Sequence, residues 1–147
     1  MSTLKLTQAT AIIDAAMAEA RKRNFARIGV AVLDAGGHAI AFKREDGASF
    51  LRFELAYGKA WGALAMGFGT RELAERAGKQ PAFIGALSAV TQGRMVPSPG
   101  GVLITAADGE LLGAVGISGD TGDNDEVCAL AGIGAAGLTA IPGSRPR

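Results

Sequence analysis

Apolar residues recur along this chain with two spacings, and the changes from one to the other mark its elements. From about residue 7 to 24, Ala9, Ile12, Ile13, Ala16, Met17 and Ala20 return every three or four positions and form one stripe of an amphipathic helix. Thr7 suits its N-cap, and Arg21, Lys22 and Arg23 suit the negative end of its dipole. Ile28–Leu33 is a short apolar run with the character of a buried strand. Asp34-Ala35-Gly36-Gly37 is turn chemistry, and His38–Lys43 is the return strand of a hairpin.

After a polar loop, Arg44–Gly47, the spacing predicts the longest helix over Phe50–Phe68, with Phe50, Phe53, Tyr57, Trp61, Leu64 and Phe68 along one side. Such a stripe reads first as core and second as a wall for a flat ligand. Thr70 caps a short helix, Arg71–Ala77, that Gly78 stops, and Pro81 opens another, Ala82–Val90. Thr91–Gly101 is loop, with an edge strand at Met95-Val96. Val102–Thr105 and Leu111–Ile117 make a second hairpin around Asp108-Gly109. A Gly/Asp turn leads to a last helix, Asn124–Thr139, which ends before Pro142-Gly143. The order is α-ββ-ααα-ββ-α. Hairpin-joined strands are antiparallel neighbours, so the fold class is α+β: an antiparallel sheet of four to five strands flanked by helices.

Composition narrows the function. At 147 residues the chain is one domain, with only Gly143–Arg147 expected to be a loose tail. A net charge of +1 gives no electrostatic case for nucleic acid or an anionic membrane. No apolar run is long enough to span a bilayer, and no secretory signal is evident, so a cytoplasmic location is expected. A single cysteine, Cys128, excludes an internal disulfide and Cys-based metal cages, and it is expected to be buried. A single histidine, His38, excludes sites that need two from one chain. The 22 glycines, roughly twice the usual share, mean close backbone approach within the chain, between subunits or to a ligand. The small residues of two helices (Ala56, Gly58, Ala60, Gly62 and Ala63, then Ala129, Gly132, Gly134 and Ala136) suggest faces buried against another copy in a homo-oligomer.

Three groups carry candidate chemistry. His38 is either a solvated turn residue or a metal ligand or acid/base. Arg44, Asp46, Glu54 and Lys59 either form a solvated charge set or hold a carboxylate, with Arg44 gripping it and Lys59 adding charge. Asp120, Asp123, Asp125 and Glu126 put four carboxylates in seven residues. They miss the EF-hand spacing and suit a helix N-terminus without any metal.

Taken in order, VAVLDAGGHAIAFKREDG, ELAYGKAWGALA, PGGVLI and LLGAVGISGDTGDNDEVCALAG resemble the GlcG/HbpS family of haem-binding proteins, over about Leu6 to Thr139. The matching positions are Asp34 and Gly37, Arg44 with Asp46-Gly47, Lys59-Ala60, Gly100-Gly101, Gly113, Gly116, Ser118-Gly119 and Asp125-Glu126. Glu45, a charge between Arg44 and Asp46, departs from the pattern. The resemblance implies a profilin-like domain, a dimer or larger closed homo-oligomer, haem as cofactor, and kinship with domains that accompany corrinoid adenosyltransferases. Haem would need an apolar wall from Phe53, Tyr57 and Trp61, cations from Arg44 and Lys59 for its propionates, and His38 as the one histidine ligand for iron. The alternative is a small catabolic enzyme acting on an organic acid. There Arg44 or Lys59 would hold the carboxylate and His38, Asp125 or Glu126 would move a proton.

Overall fold

The computed structural model describes residues 3–145. Its elements are α1 (Leu6–Lys22), β1 (Gly29–Asp34), β2 (Ala39–Arg44), α2 (Arg52–Met66), α3 (Thr70–Lys79), α4 (Pro81–Val90), β3 (Gly101–Thr105), β4 (Leu111–Ser118), α5 (Gly122–Ala135) and β5 (Thr139–Ile141). The strands form one sheet in the order β2-β1-β4-β3-β5, with every neighbouring pair antiparallel. The α+β reading and both hairpins hold.

Alternation along the strands sends side chains to two different layers. Val30 and Val32 of β1, Val102 and Ile104 of β3, and Val115 and Ile117 of β4 join Ile12, Ile13 and Ala16 of α1 and Cys128, Ala129 and Ile133 of α5. Leu33, Leu103 and Ala114 turn to the other face and meet Ala60 and Ala63 of α2. Each large aliphatic side chain fully buried in these layers contributes about 1.5–3 kcal/mol.

At Gly116 and Gly101 the second face has no room for a side chain. A Cβ on Gly116 would overlap the Ala56 carbonyl oxygen, and one on Gly101 would overlap the Lys59 carbonyl. The backbone of α2 therefore lies directly on the backbones of β4 and β3. Only a helix face of small residues fits there, and Ala56, Ala60 and Ala63 supply it, while Gly58 and Gly62 face the Arg94–Val96 segment. This reverses one expectation and part of another. The aromatic stripe of α2 is not core: Phe50 and Phe53 are exposed, and Tyr57 and Trp61 are half-buried. The small-residue face of α2 packs within the chain, Gly58 against the Arg94 carbonyl; of the small residues of α5, Gly132 packs against the Ile12 carbonyl while Gly134 is exposed.

Other boundaries moved for local reasons. The cap of α1 is Lys5, not Thr7, and its backbone N–H donates to Gln8 Oε1 at 2.9 Å. Gly78 lies inside α3 instead of ending it. Met95-Val96 forms no strand. The last helix stops at Ala135, and Thr139–Ile141 pairs with β3 as a fifth strand. In the tail, the Gly143 carbonyl accepts a hydrogen bond from Gly69 N at 2.9 Å, while residues 146 and 147 lie outside the described residues. Among the described residues no helix is long and apolar enough to cross a membrane.

Candidate functional site

The family-pattern residues fall at opposite ends of the sheet. At one end, Lys59 of α2 pairs with Asp125 of α5, Nζ to Oδ2 at 3.0 Å, with side chains only 5% and 1% exposed. The other Asp125 oxygen accepts from Asp120 N at 3.0 Å. Burial pushes the Asp125 carboxyl up, and Lys59 opposes that rise. Gly100 covers the pair at φ +120°, where a Cβ would sit 3.0 Å from Lys59 Nζ. Beside it Arg52 donates to Ser118 Oγ at 2.8 Å, and Thr70 Oγ1 accepts from Gly101 N at 2.8 Å. Glu126 is held by Arg71, Nε to Oε1 at 2.9 Å. Lys59, Gly100 and Asp125 thus form one buried clasp between α2, the entry to β3 and α5, with Ser118 and Glu126 held beside it by Arg52 and Arg71.

At the other end stands the β1–β2 turn. Asp34 Oδ1 accepts from Gly36 N at 2.9 Å and His38 N at 3.0 Å, and lies 3.4 Å from His38 Nδ1. The His38 backbone N–H holds the Asp34 carboxyl below the usual carboxylate range against the opposing effect of desolvation, and the Gly36 N–H adds to the lowering. Asp34 is therefore ionised at neutral pH. The His38 side chain is 81% exposed. Gly36 lies against the ring, where a Cβ would come 3.0 Å from Nδ1.

Two clefts flank this turn and share Ala35 and Gly36. One, of ≈ 300 Å³, is lined by Leu4, Asp34, His38, Glu110, Leu111 and Leu112, among others. The other, of ≈ 160 Å³, lies against Trp61, Leu64 and Ala65 of α2. His38 opens into the first and Trp61 into the second, so the turn stands between them. Phe53 and Tyr57 continue the α2 face away from the turn and stack at 5.9 Å, with Phe42 of β2 edge-on to Phe53 at 5.0 Å. Arg44 is exposed at the far end of β2, and Asp46 is exposed in the loop beyond it. Glu45 turns toward α1 and accepts from Arg21 Nε at 2.8 Å and Ile28 N at 2.9 Å, so its charge lies away from the aromatic face.

The structure therefore does not assemble the groups the sequence brought together. Lys59 does not share a surface with Arg44, because its ammonium is committed to Asp125. Asp125 and Glu126 stand near Ser118, which pairs with Gly29, and His38 stands beyond Asp34. The five residue steps from Gly29 to Asp34 separate them by roughly 17 Å. Of the alternatives for moving a proton, His38 therefore lies at one end of the sheet and Asp125 and Glu126 at the other. What the sequence reading missed is Asp34 as the partner of His38, and Leu4, Leu111 and Leu112 as the cleft floor. The Asx-turn pattern Asp-x-Gly was the available signal for the first. The floor comes from two distant segments and left none.

A family model described as haem degrading protein HbpS-like matches residues 4–134. This chain belongs to the HbpS-like family. Its relatives include the corrinoid adenosyltransferase PduO of Salmonella typhimurium, 36% identical over 106 residues, which are 72% of this chain and 31% of that enzyme. The crystal structure of a PduOC:heme complex matches with a TM-score of 0.84 at 31% identity, over 94% of this chain and 98% of that one. The crystal structure of HbpS matches with a TM-score of 0.79 at 32% identity, over 91% and 90%. The chain is thus an HbpS-like domain along nearly its whole length, and spans about a third of PduO.

Proposed function

We propose that this HbpS-like chain binds haem or a closely related tetrapyrrole, with His38 as the iron ligand. The observation that carries the reading is the Asp34–His38 arrangement. A metal-binding imidazole usually directs its second nitrogen at a carboxylate, which fixes the ring and raises the basicity of the ligating nitrogen. Here Asp34 stands at Nδ1, Gly36 supports the ring, and Nε2 is left for an incoming metal. The cleft beside it has an apolar floor of Leu4, Leu111 and Leu112. The residues present fit the group on these grounds: one free imidazole with its carboxylate, next to an apolar wall. Haem supplies an iron that accepts the imidazole nitrogen. At ≈ 300 Å³ the cleft lies at the small end of ligand sites, so one copy leaves part of a macrocycle uncovered. The same reading makes the protein a homo-oligomer, in which a second copy covers what one cannot.

Haemin titration of the apoprotein tests this. A saturable Soret shift with one haem per chain is expected. His38→Ala should abolish the shift, and Asp34→Asn should weaken binding about 10–100-fold. An unchanged spectrum in His38→Ala would overturn the assignment. If Arg44→Ala or Phe53→Ala removed the shift instead, the ligand would belong on the aromatic face of α2.

A further inference from the structure

Helices α3 and α4 and the segment after them enclose a bowl that neither the His38 cleft nor the Lys59–Asp125 clasp uses. Leu73 of α3, Ile84 of α4 and Met95 form its floor, a small apolar cluster apart from the two layers that cover the sheet. All three side chains are buried. Gly85, Ser88 and Pro97 stand exposed around the mouth, and the space between them is ≈ 200 Å³. Gly85 leaves this mouth open. It lies within α4, where glycine is a poorer helix former than alanine. It has no left-handed φ, and an added Cβ would meet no atom within 4 Å. Neither the backbone nor the packing of this chain calls for glycine there.

We propose that this bowl binds a neutral molecule of one aromatic ring, the size of phenol, with its hydroxyl at Ser88. Size sets the first limit. A cavity of about 150 Å³ walled by aliphatic side chains takes up one benzene ring. At ≈ 200 Å³ the bowl holds a ring with one small substituent and excludes a macrocycle.

Charge sets the second. No ionisable side chain lines the bowl, and no charge occurs from Pro81 to Gly93. Arg94, the next residue, is turned to the Trp61 ring, 5.3 Å from its centroid. An ionised ligand would lose its hydration here and gain no counter-charge, so the occupant is neutral. The lining supplies the rest. The Met95 thioether is a favourable neighbour for a ring, and Ser88 is the one side-chain hydroxyl at the mouth. The haem cleft lies at the β1–β2 turn, so this site stands or falls without it.

Methyl NMR of protein labelled at Met and Ile, titrated with phenol to about 5 mM, tests the proposal. The Met95 ε-methyl and the Ile84 δ1-methyl should shift together and saturate, with a dissociation constant on the order of 1 mM or below. Benzoate, the same ring with a charge, should bind about tenfold more weakly or not at all. Ser88→Ala should weaken phenol about two- to tenfold and leave toluene unchanged. Gly85→Leu, which fills the mouth, should remove the shifts and keep the wild-type haemin titration. The absence of a saturable shift at both methyls overturns the proposal, and so does benzoate binding as tightly as phenol. Shifts that persist in Gly85→Leu place the ring elsewhere and overturn it too. Methyl shifts that follow protein concentration without phenol, and vanish in Phe83→Glu, would assign the bowl to a side chain of another copy and overturn the small ligand.

Discussion

Replacing Lys59 by methionine removes the cation from a pair that the fold has taken almost wholly out of water. Asp125 would keep the hydrogen bond from Asp120 N and lose its counter-charge, with no solvent near enough to replace it. Breaking such a pair on one side costs about 3–5 kcal/mol. For a chain of this size each kcal/mol moves the midpoint by about 2–4 °C, so the expected fall is roughly 6–20 °C. The deficit depends on pH with a definite sign. Burial already raises the folded-state carboxyl above its ordinary value, and removing Lys59 raises it further. The folded variant then binds a proton that the unfolded chain has released. Its stability therefore rises relative to wild type as pH falls through that raised value, and levels off below the ordinary carboxylate range. Urea unfolding at pH 7 and pH 5, with calorimetry at both, measures this. The double variant Lys59→Met with Asp125→Leu should recover to within about 1 kcal/mol of wild type, because neither charge is then stranded. A single variant within about 1 kcal/mol of wild type, or a double variant as weak as the sum of the singles, would refute the argument.

Cys128 is buried, and desolvation followed by the Asp125 charge pushes its thiol up to about 12. At pH 8 the folded protein should react with a disulfide reagent about a thousandfold more slowly than the urea-unfolded chain, and rapid labelling of native protein would contradict this. Gly116→Ala should cost about 3 kcal/mol or more, because the methyl group would enter the Ala56 carbonyl. Gly78→Ala, inside α3 with open space around it, should stabilise by about 0.4–1 kcal/mol. Chemical denaturation of the two variants gives both signs in one experiment.

The elements made by local periodicity were legible in the sequence. The α1 stripe and the turns at Asp34–Gly37 and Asp108-Gly109 placed one helix and four strands within a residue or two. What the sequence left ambiguous was decided between elements. Aromatic and small residues both line α2, and which side turns inward depends on Gly116 and Gly101 lying beneath it. Thr139–Ile141 is too short for any period to show. It is a strand because the outer edge of β3 needs hydrogen-bond partners. At the site, His38 was visible and its partner was four residues away, but the cleft floor joins Leu4 to Leu111 and Leu112 across the length of the chain. Lys59 and Asp125, 66 positions apart, look like surface charges until the fold closes over them.

The seam formed by β5 bears on how this domain is handled at the bench. The family match ends at residue 134, and a fragment cut there would appear to contain the whole unit. It would lack Thr139–Ile141, and with it the partners of Leu103, Ile104 and Thr105. It would also lose the Gly143 carbonyl that anchors Gly69 at the start of α3. The cut would bare a charge-free edge strand, Gly101–Thr105, ready to pair with another chain. Such a fragment should precipitate or exchange strands where the intact chain stays dispersed. Expression boundaries for these domains are therefore better set by the last strand than by the last matched residue.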